Sequence, residues 1–373
     1  MLHSPNTQVN LPALARKTPV AYNAGRRVSG GGGECFGGRF VLAEASTRPK
    51  SAPRTGISVA EAIALYKAPL NELAATIAAA HGVPESVQVL HIARLEYGNI
   101  CTNGCPHCLQ SRPPSAPDAI VLPPEEVGRR AAMLAELRPD RLHLIGGSNP
   151  HRALGYVIDA LTAVREAVPS TSIESLSAQQ INDLARAEKL SVDAVLERLR
   201  DAGLTQLTGD GGEIFSNRIR DALCPRKITG GRWLHVMRRA HALGIVSTAS
   251  MTFGHHETPR EKAEHLALLH DLQEDTGGFE AYWPEPLANG YRTQALGNPP
   301  TPEDYLRELT IGRMMLPSIP HVRCWFVPPM TLEGLAQAPA FGADEIVCLT
   351  CFRAASDKPE VADVTAVRAA LGL

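Results

Sequence analysis

The chain has 373 residues, 44% of them hydrophobic, and sets 37 basic side chains against 39 acidic ones. It is long enough to bury one large core or two modest ones, and its balanced charge, with no long run of Lys and Arg, argues against nucleic acid or an anionic membrane surface as a partner. No apolar stretch opens the N-terminus MLHSPNTQVNLPALARK and no window approaches the roughly 20 apolar residues of a membrane helix, so a cytoplasmic protein is expected, its eight cysteines reduced.

Residues 1–56 are rich in Pro, Gly, Ser and Arg around RRVSGGGGECFGGRF, a composition that does not offset the entropy of ordering and predicts a flexible segment. The glycine run lacks the Lys-Ser or Lys-Thr that would make it a phosphate loop. Over 57–87, SVAEAIALYKAPLNELAATIAAAHG has apolar residues at helical spacing and predicts a helical lead-in. From 88 to 355, eight β-rich runs, VLHIARL, RLHLIGG, SIESLS, LTQLTG, IVSTASMTFG, FEAYW, HVRCWFV and EIVCLT, alternate with segments of helical period. In SVDAVLERLRDAG, Val192, Val195, Leu196 and Leu199 share one face and Gly203 marks the stop. Thr258-Pro259-Arg260-Glu261 and Thr301-Pro302-Glu303-Asp304 are helix starts with a capping hydroxyl, a proline at the first position and a carboxylate at the third. Residues 356–373 are read as a C-terminal helix or tail. Eight strands alternating with helices predict an α/β fold, a complete or nearly complete (β/α)8 TIM-like barrel; an open doubly wound sheet is the alternative.

In such a barrel the loops that follow the strands gather at one mouth. Cys101, Cys105 and Cys108 follow the first strand, GGSNP the second, SLSAQQ the third, TGDGGEIF the fourth and FGHHET the fifth. Thiolates favour zinc, copper(I) and iron–sulfur clusters. A structural zinc site takes four protein ligands, and His107 is bracketed too tightly by Cys105 and Cys108 to serve as the fourth. A cubane [4Fe-4S] cluster held by three cysteines keeps one iron open to another ligand. A zinc-stabilised barrel with a binding function is the contrasting class.

The spacing Cys-x3-Cys-x2-Cys after the first strand resembles the signature of radical S-adenosylmethionine (SAM) enzymes, although His107 stands where that superfamily commonly has an aromatic residue. LTGDGGEIFSNRIRDALCPRKITGGRWLHVMRRAHALGIVSTASMTFGHHET, LHDLQEDTGGFEAYWPEPL and SVDAVLERLRDAGL are similar to a narrower group: aminofutalosine synthase, dehypoxanthine futalosine cyclase and the radical subunits of deazaflavin synthase, with aminofutalosine synthase nearest. The resemblance covers residues 58–344. It implies a [4Fe-4S] cluster on Cys101, Cys105 and Cys108, SAM bound at the open iron, and an electron donor such as flavodoxin or ferredoxin. It also implies a 5'-deoxyadenosyl radical that adds to an enol-ether or aromatic carboxylic acid, as in menaquinone biosynthesis, or that abstracts hydrogen so that the substrate cyclises. Two departures from the group stand out: Thr208 and Asp210 in the fourth-strand block, and the whole sixth-strand segment YWPEPLANGYRTQ. They imply a substrate related to the futalosine precursor rather than identical with it.

The resemblance, and the place of other residues in the loops after the strands, suggest roles for further residues. Gly146, Gly147 and Ser148 approach the methionine end of SAM, and Glu213 contacts its amino or nucleoside end; the alternative for Glu213 is a structural pairing with Arg220. Glu174, Ser177 and Gln179 reach the ribose, and Gly254 and Glu257 lie beside adenine. Of His255 and His256, strand alternation would turn only one inward, as a proton-transfer or carboxylate-binding residue. Arg292 and Tyr282, in the sixth-strand segment, are candidates for substrate contact. Cys324, Cys348 and Cys351, with Cys224 to complete a set, are candidates for a second cluster, but the alternation of Cys324 with apolar residues in HVRCWFV makes a buried packing thiol the stronger reading.

Overall fold

The structure is a computed structural model describing residues 56–108, 110–149, 152–287 and 299–373. Eight parallel strands close into a barrel in chain order: β1 Gln88–Gly98, β2 Arg141–Gly146, β3 Ser172–Ser175, β4 Gln206–Leu207, β5 Val246–Phe253, β6 Phe279–Pro286, β7 His321–Trp325 and β8 Glu345–Phe352. Each of the eight runs read from the sequence falls on one of these strands. The barrel is complete because β8 pairs with β1 over eight residues, Gln88 to Leu95 against Glu345 to Phe352. No open sheet edge is left.

Helices between the strands form the outer ring, and most of the core lies between them and the sheet. The helix Val192–Asp201 buries Val192, Val195, Leu196 and Leu199, and Gly203 follows it with φ of +107°. Helices Pro259–Thr276 and Pro302–Met315 open with reciprocal capping boxes, Thr258 with Glu261 and Thr301 with Asp304. Ahead of the barrel lie helices Val59–Leu65 and Leu70–His81, and after β8 comes Val364–Ala370.

The barrel interior is layered, since alternate strand residues point inward. Toward the N-terminal ends of the strands, Arg323 pairs with Glu345 at 2.5 Å and Glu280 at 2.8 Å, and Arg141 with Glu280 at 2.7 Å. Above this charged floor Ile92, Trp283, Trp325 and Val347 form a separate apolar cluster, with the two indoles 4.8 Å apart. The mouth lies beyond it.

This alternation disposes of a second cluster. Cys324 and Cys348 belong to the outer core while Val347 belongs to the inner cluster. Cys351, three residues along β8 from Cys348, projects from the opposite face. Cys324, Cys348 and Cys351 therefore do not converge, and the packing-thiol reading of Cys324 stands. The same parity corrects Tyr282. Its ring is fully buried against the outer helix, where a Cβ on Gly312 would fall 2.3 Å from it. A residue facing the helices cannot touch a substrate; its neighbour Trp283 takes the inward position.

The lead-in is tied to the barrel by a buried ion pair. Lys262 pairs with Glu308, whose other oxygen accepts from the Tyr66 hydroxyl at 2.8 Å, and the lysine ammonium sits 4.1 Å from the Tyr66 ring centroid. Glu308→Ala strands Lys262 without a counter-ion, and denaturant unfolding is expected to show a loss of about 3–5 kcal/mol.

Candidate active site

The cysteine loop runs from the end of β1 and is fastened at several points. Cys101 N–H donates to the Arg112 carbonyl at 2.9 Å, and Arg112 N–H to that of Asn99 at 2.8 Å. Toward β2, Thr102 N–H donates to the Ser148 carbonyl at 3.1 Å and the Asn103 amide to the Ser148 hydroxyl at 3.1 Å. Contact is so close that a Cβ on Gly147 would lie 2.3 Å from the Ile100 carbonyl oxygen and 2.6 Å from the Cys101 Cβ. Only glycine permits this approach. The Gln180 amide donates to both the Gly146 carbonyl and the Tyr97 hydroxyl, at 3.1 Å each, so the turn after β2 is held from behind.

All three thiols border one cavity of about 290 Å³ at the mouth. Across it stand Gly146, Gly147, Ser148, Ser177 and Gln179. Ser177 caps the helix Ala178–Glu188 in a box with Gln180, and the Gln179 side-chain oxygen accepts the Ile228 N–H at 2.7 Å. Among the described residues no three of His, Cys, Asp or Glu converge to hold a single metal ion. The three thiols line one common space. A soft donor set, a cavity and a side-chain-free wall together fit a cysteine-ligated iron–sulfur cluster with room beside it for SAM.

Burial pushes the Cys105 thiol up to about 11, and the ammonium of Lys227 works in the other direction. Lys227 is the feature that sequence reasoning passed over. It pairs with Glu213, which is itself buried, has φ of +38° and also lies 3.5 Å from Arg220 and 3.8 Å from His107. Burial alone would raise the Glu213 carboxyl; Lys227, then Arg220 and His107, hold it down to about 2. Glu213 thus lines the cavity and also makes the structural pairing with Arg220 that was its alternative. Burial lowers His107 to about 4, outweighing Glu213, so the ring before the last cysteine is neutral. One signal was available: Lys227 sits just before the helix Gly230–Ala242, where the helix dipole disfavours a cation unless another group holds it.

Other expectations are relocated. Glu174 lies within β3, beneath the mouth, accepting from the Thr248 hydroxyl at 3.1 Å, and does not line the cavity. Burial lifts it to about 7 against Arg323 and Arg141, which marks it as part of the barrel's polar filling rather than a ribose ligand. His255 and His256 lie beyond the end of β5, so strand alternation does not govern them. The Glu257 carboxylate accepts the N–H groups of Gly254 and His255 at 2.7 and 2.8 Å and pairs with the His255 ring at 2.9 Å. That ring's other nitrogen is 3.1 Å from the Thr252 carbonyl, leaving it no proton-transfer partner in the cavity. His256 is exposed. Gly254 packs against Pro300, and neither it nor Glu257 borders the cavity. Arg292 lies outside the described residues. Arg94, Asp210 and Glu285, which were assigned no role, do border the cavity.

The model of the radical SAM superfamily matches residues 95–269. Cyclic dehypoxanthine futalosine synthase of Streptomyces coelicolor is 32% identical over 303 residues, 78% of this chain and 74% of that protein. The chain belongs to the radical SAM superfamily. As a radical SAM enzyme its cofactors are a [4Fe-4S] cluster and S-adenosylmethionine, and its relatives lie in the futalosine group read from the sequence. Aminodeoxyfutalosine synthase of Thermus thermophilus is 32% identical over 63% of this chain and 64% of its own length. A 5-amino-6-(D-ribitylamino)uracil–L-tyrosine 4-hydroxyphenyl transferase of Methanopyrus kandleri is 35% identical over 54% of this chain, which spans 55% of that protein. Crystalline HydG, a maturase of the [FeFe]-hydrogenase, shares the fold with a TM-score of 0.62 at 18% identity, over 79% of this chain and 64% of that one. Among the described residues no helix is long and apolar enough to cross a membrane.

Two outcomes follow from this geometry. Gly147→Ala forces the cysteine loop off the turn after β2, and anaerobic reconstitution is expected to retain less than half the wild-type iron by chemical assay. The Glu213 carboxylate, held at about 2 against an ordinary 4.5, contributes roughly 3 kcal/mol above pH 4.5 that is lost as pH falls toward 2. In Lys227→Met that shift shrinks: urea titrations across this window should find a less stable protein whose stability declines less steeply with acid.

Proposed function

We propose that Cys101, Cys105 and Cys108 hold the cluster, and that the cavity beside them presents SAM to a small aromatic or enol-ether carboxylic acid. What carries this reading is the placement of three thiols on one wall of a cavity whose facing wall is the Gly146–Gly147 turn. When bound, the reduced cluster and SAM supply a 5'-deoxyadenosyl radical by cleavage of the sulfonium carbon–sulfur bond. The chain's own residues do the rest. The main chain at Gly146 and Gly147, bare of side chains, receives the methionine end of SAM, with Ser148 and Ser177 at its edges. Lys227 offsets the negative charge that three thiolates bring into a buried site.

The leading reaction is addition of the adenosyl group to the substrate with formation of a carbon–carbon bond, the chemistry of aminofutalosine synthase. Hydrogen abstraction with cyclisation is the second reading, favoured by the longer alignment with cyclic dehypoxanthine futalosine synthase. Product masses separate them: addition leaves the adenosine carbons in the product, whereas abstraction releases 5'-deoxyadenosine.

Protein reconstituted anaerobically is expected to bind about four irons with broad absorption near the blue edge of the visible. Cys105→Ala should abolish both that absorption and SAM cleavage under dithionite. A Cys105→Ala protein that keeps its cluster, or wild-type protein that binds one zinc and no iron, overturns the assignment.

A further inference from the structure

The two places where the sequence departs from its resemblance meet in space. Asp210, from the fourth-strand block, and Glu285, from the sixth-strand segment, both face the cavity, on its barrel side beside Arg94. Burial and then the charge of Asp210 raise Glu285 to about 7, and burial raises Asp210, with Arg94 as the main opposing charge.

What faces these carboxyl groups is short of donors. Among the described residues Glu285 accepts from the Thr252 hydroxyl, at 3.3 Å, Asp210 has a hydrogen bond with Thr208, and no Lys or Arg nitrogen lies within 4 Å of either carboxylate. The other acid on the cavity wall, Glu213, is already engaged by Lys227 and Arg220. Asp210 is 37% exposed along its side chain although deep in the fold, because it looks into the open cavity. An independent sign comes from β2. His143 is 1% exposed, its Nε2 lies 3.9 Å from the Asp210 carboxylate, and neither ring nitrogen has a hydrogen-bond partner. Burial keeps this ring neutral, and it backs Asp210 from beneath the cavity without bordering it. Arg94, 5.7 Å from the Trp325 ring centroid, adds a planar cation suited to a carboxylate.

We propose that Asp210 and Glu285, with His143 behind them, select a substrate whose barrel-facing end carries an amine, while Arg94 takes its carboxylate. Resting on the reading of a small aromatic acid as substrate, this makes that substrate an amino acid in the broad sense rather than a diacid. A second carboxylate would meet two acids. An ammonium meets two acids that no described lysine or arginine contacts.

The test uses two ligands of one ring and one shared carboxylate, 3-(aminomethyl)benzoate and benzene-1,3-dicarboxylate, titrated calorimetrically into reconstituted, SAM-loaded protein under anaerobic conditions. At least tenfold tighter binding of the amine is expected, falling to within about threefold in Asp210→Asn with Glu285→Gln, where two neutral amides replace the acids. Arg94→Gln should weaken both ligands and leave their ratio. Iron content and melting temperature, taken on the same samples, report folding. Equal or tighter binding of the diacid, no binding of the amine, or a preference that survives in the double variant overturns the proposal. Loss of iron and SAM cleavage in wild type would instead strike the cluster reading, which these affinities do not test.

Discussion

The site depends on one steric constraint, the absence of a side chain at Gly147. Because the turn after β2 has no Cβ there, the main chain of Ile100 and Cys101 comes to rest directly on it, and Ser148 is brought within reach of Thr102 and Asn103. The cysteine loop is too short and too polar to pack a core of its own. It takes its shape from the rim of a closed barrel, and β1 and β2 pair up to Gly146. A rigid sheet thus fixes the spacing of three thiols that a free loop would leave variable.

Electrostatics then divides the interior from bottom to top. At the floor, Arg141, Arg323, Glu280 and Glu345 close a network in which each charge has opposite partners, and that layer belongs to stability. The tryptophan layer above it is apolar packing. At the mouth the rule changes: Glu213 is matched by Lys227, but Asp210 and Glu285 are not matched by contact with any described lysine or arginine. Unmatched charge beside an open cavity is where a protein gives up stability for binding.

Much of this was legible in the sequence. The eight strands, the two proline-opened helices and the gathering of three cysteines at the mouth all rest on local signals: alternation, capping residues and spacing. Glycine at 146 and 147 was legible because close approach has few other solutions. The residues that were misplaced depend on parity or on chain direction beyond a strand's end. Tyr282 and Trp283 are adjacent, and a shift of one residue decides which meets the interior. His255 and His256 were read as strand residues, whereas β5 stops at Phe253 and the Glu257 carboxylate turns the chain. Lys227, Asp210, Glu285 and Arg94 come from four separate segments, and no local pattern states that they share a cavity. Even so, Asp210 and the β6 segment already stood out as departures from the resembling group.

The central claim is a cluster with one iron not held by cysteine, open to SAM. Low-temperature electron paramagnetic resonance on dithionite-reduced, reconstituted protein, recorded with and without SAM, addresses it most directly. The account predicts the signal of a reduced [4Fe-4S] cluster whose g-values shift when SAM is added, because a new ligand joins the open iron. A spectrum identical with and without SAM, or no cluster signal in protein that carries its full iron, would contradict it.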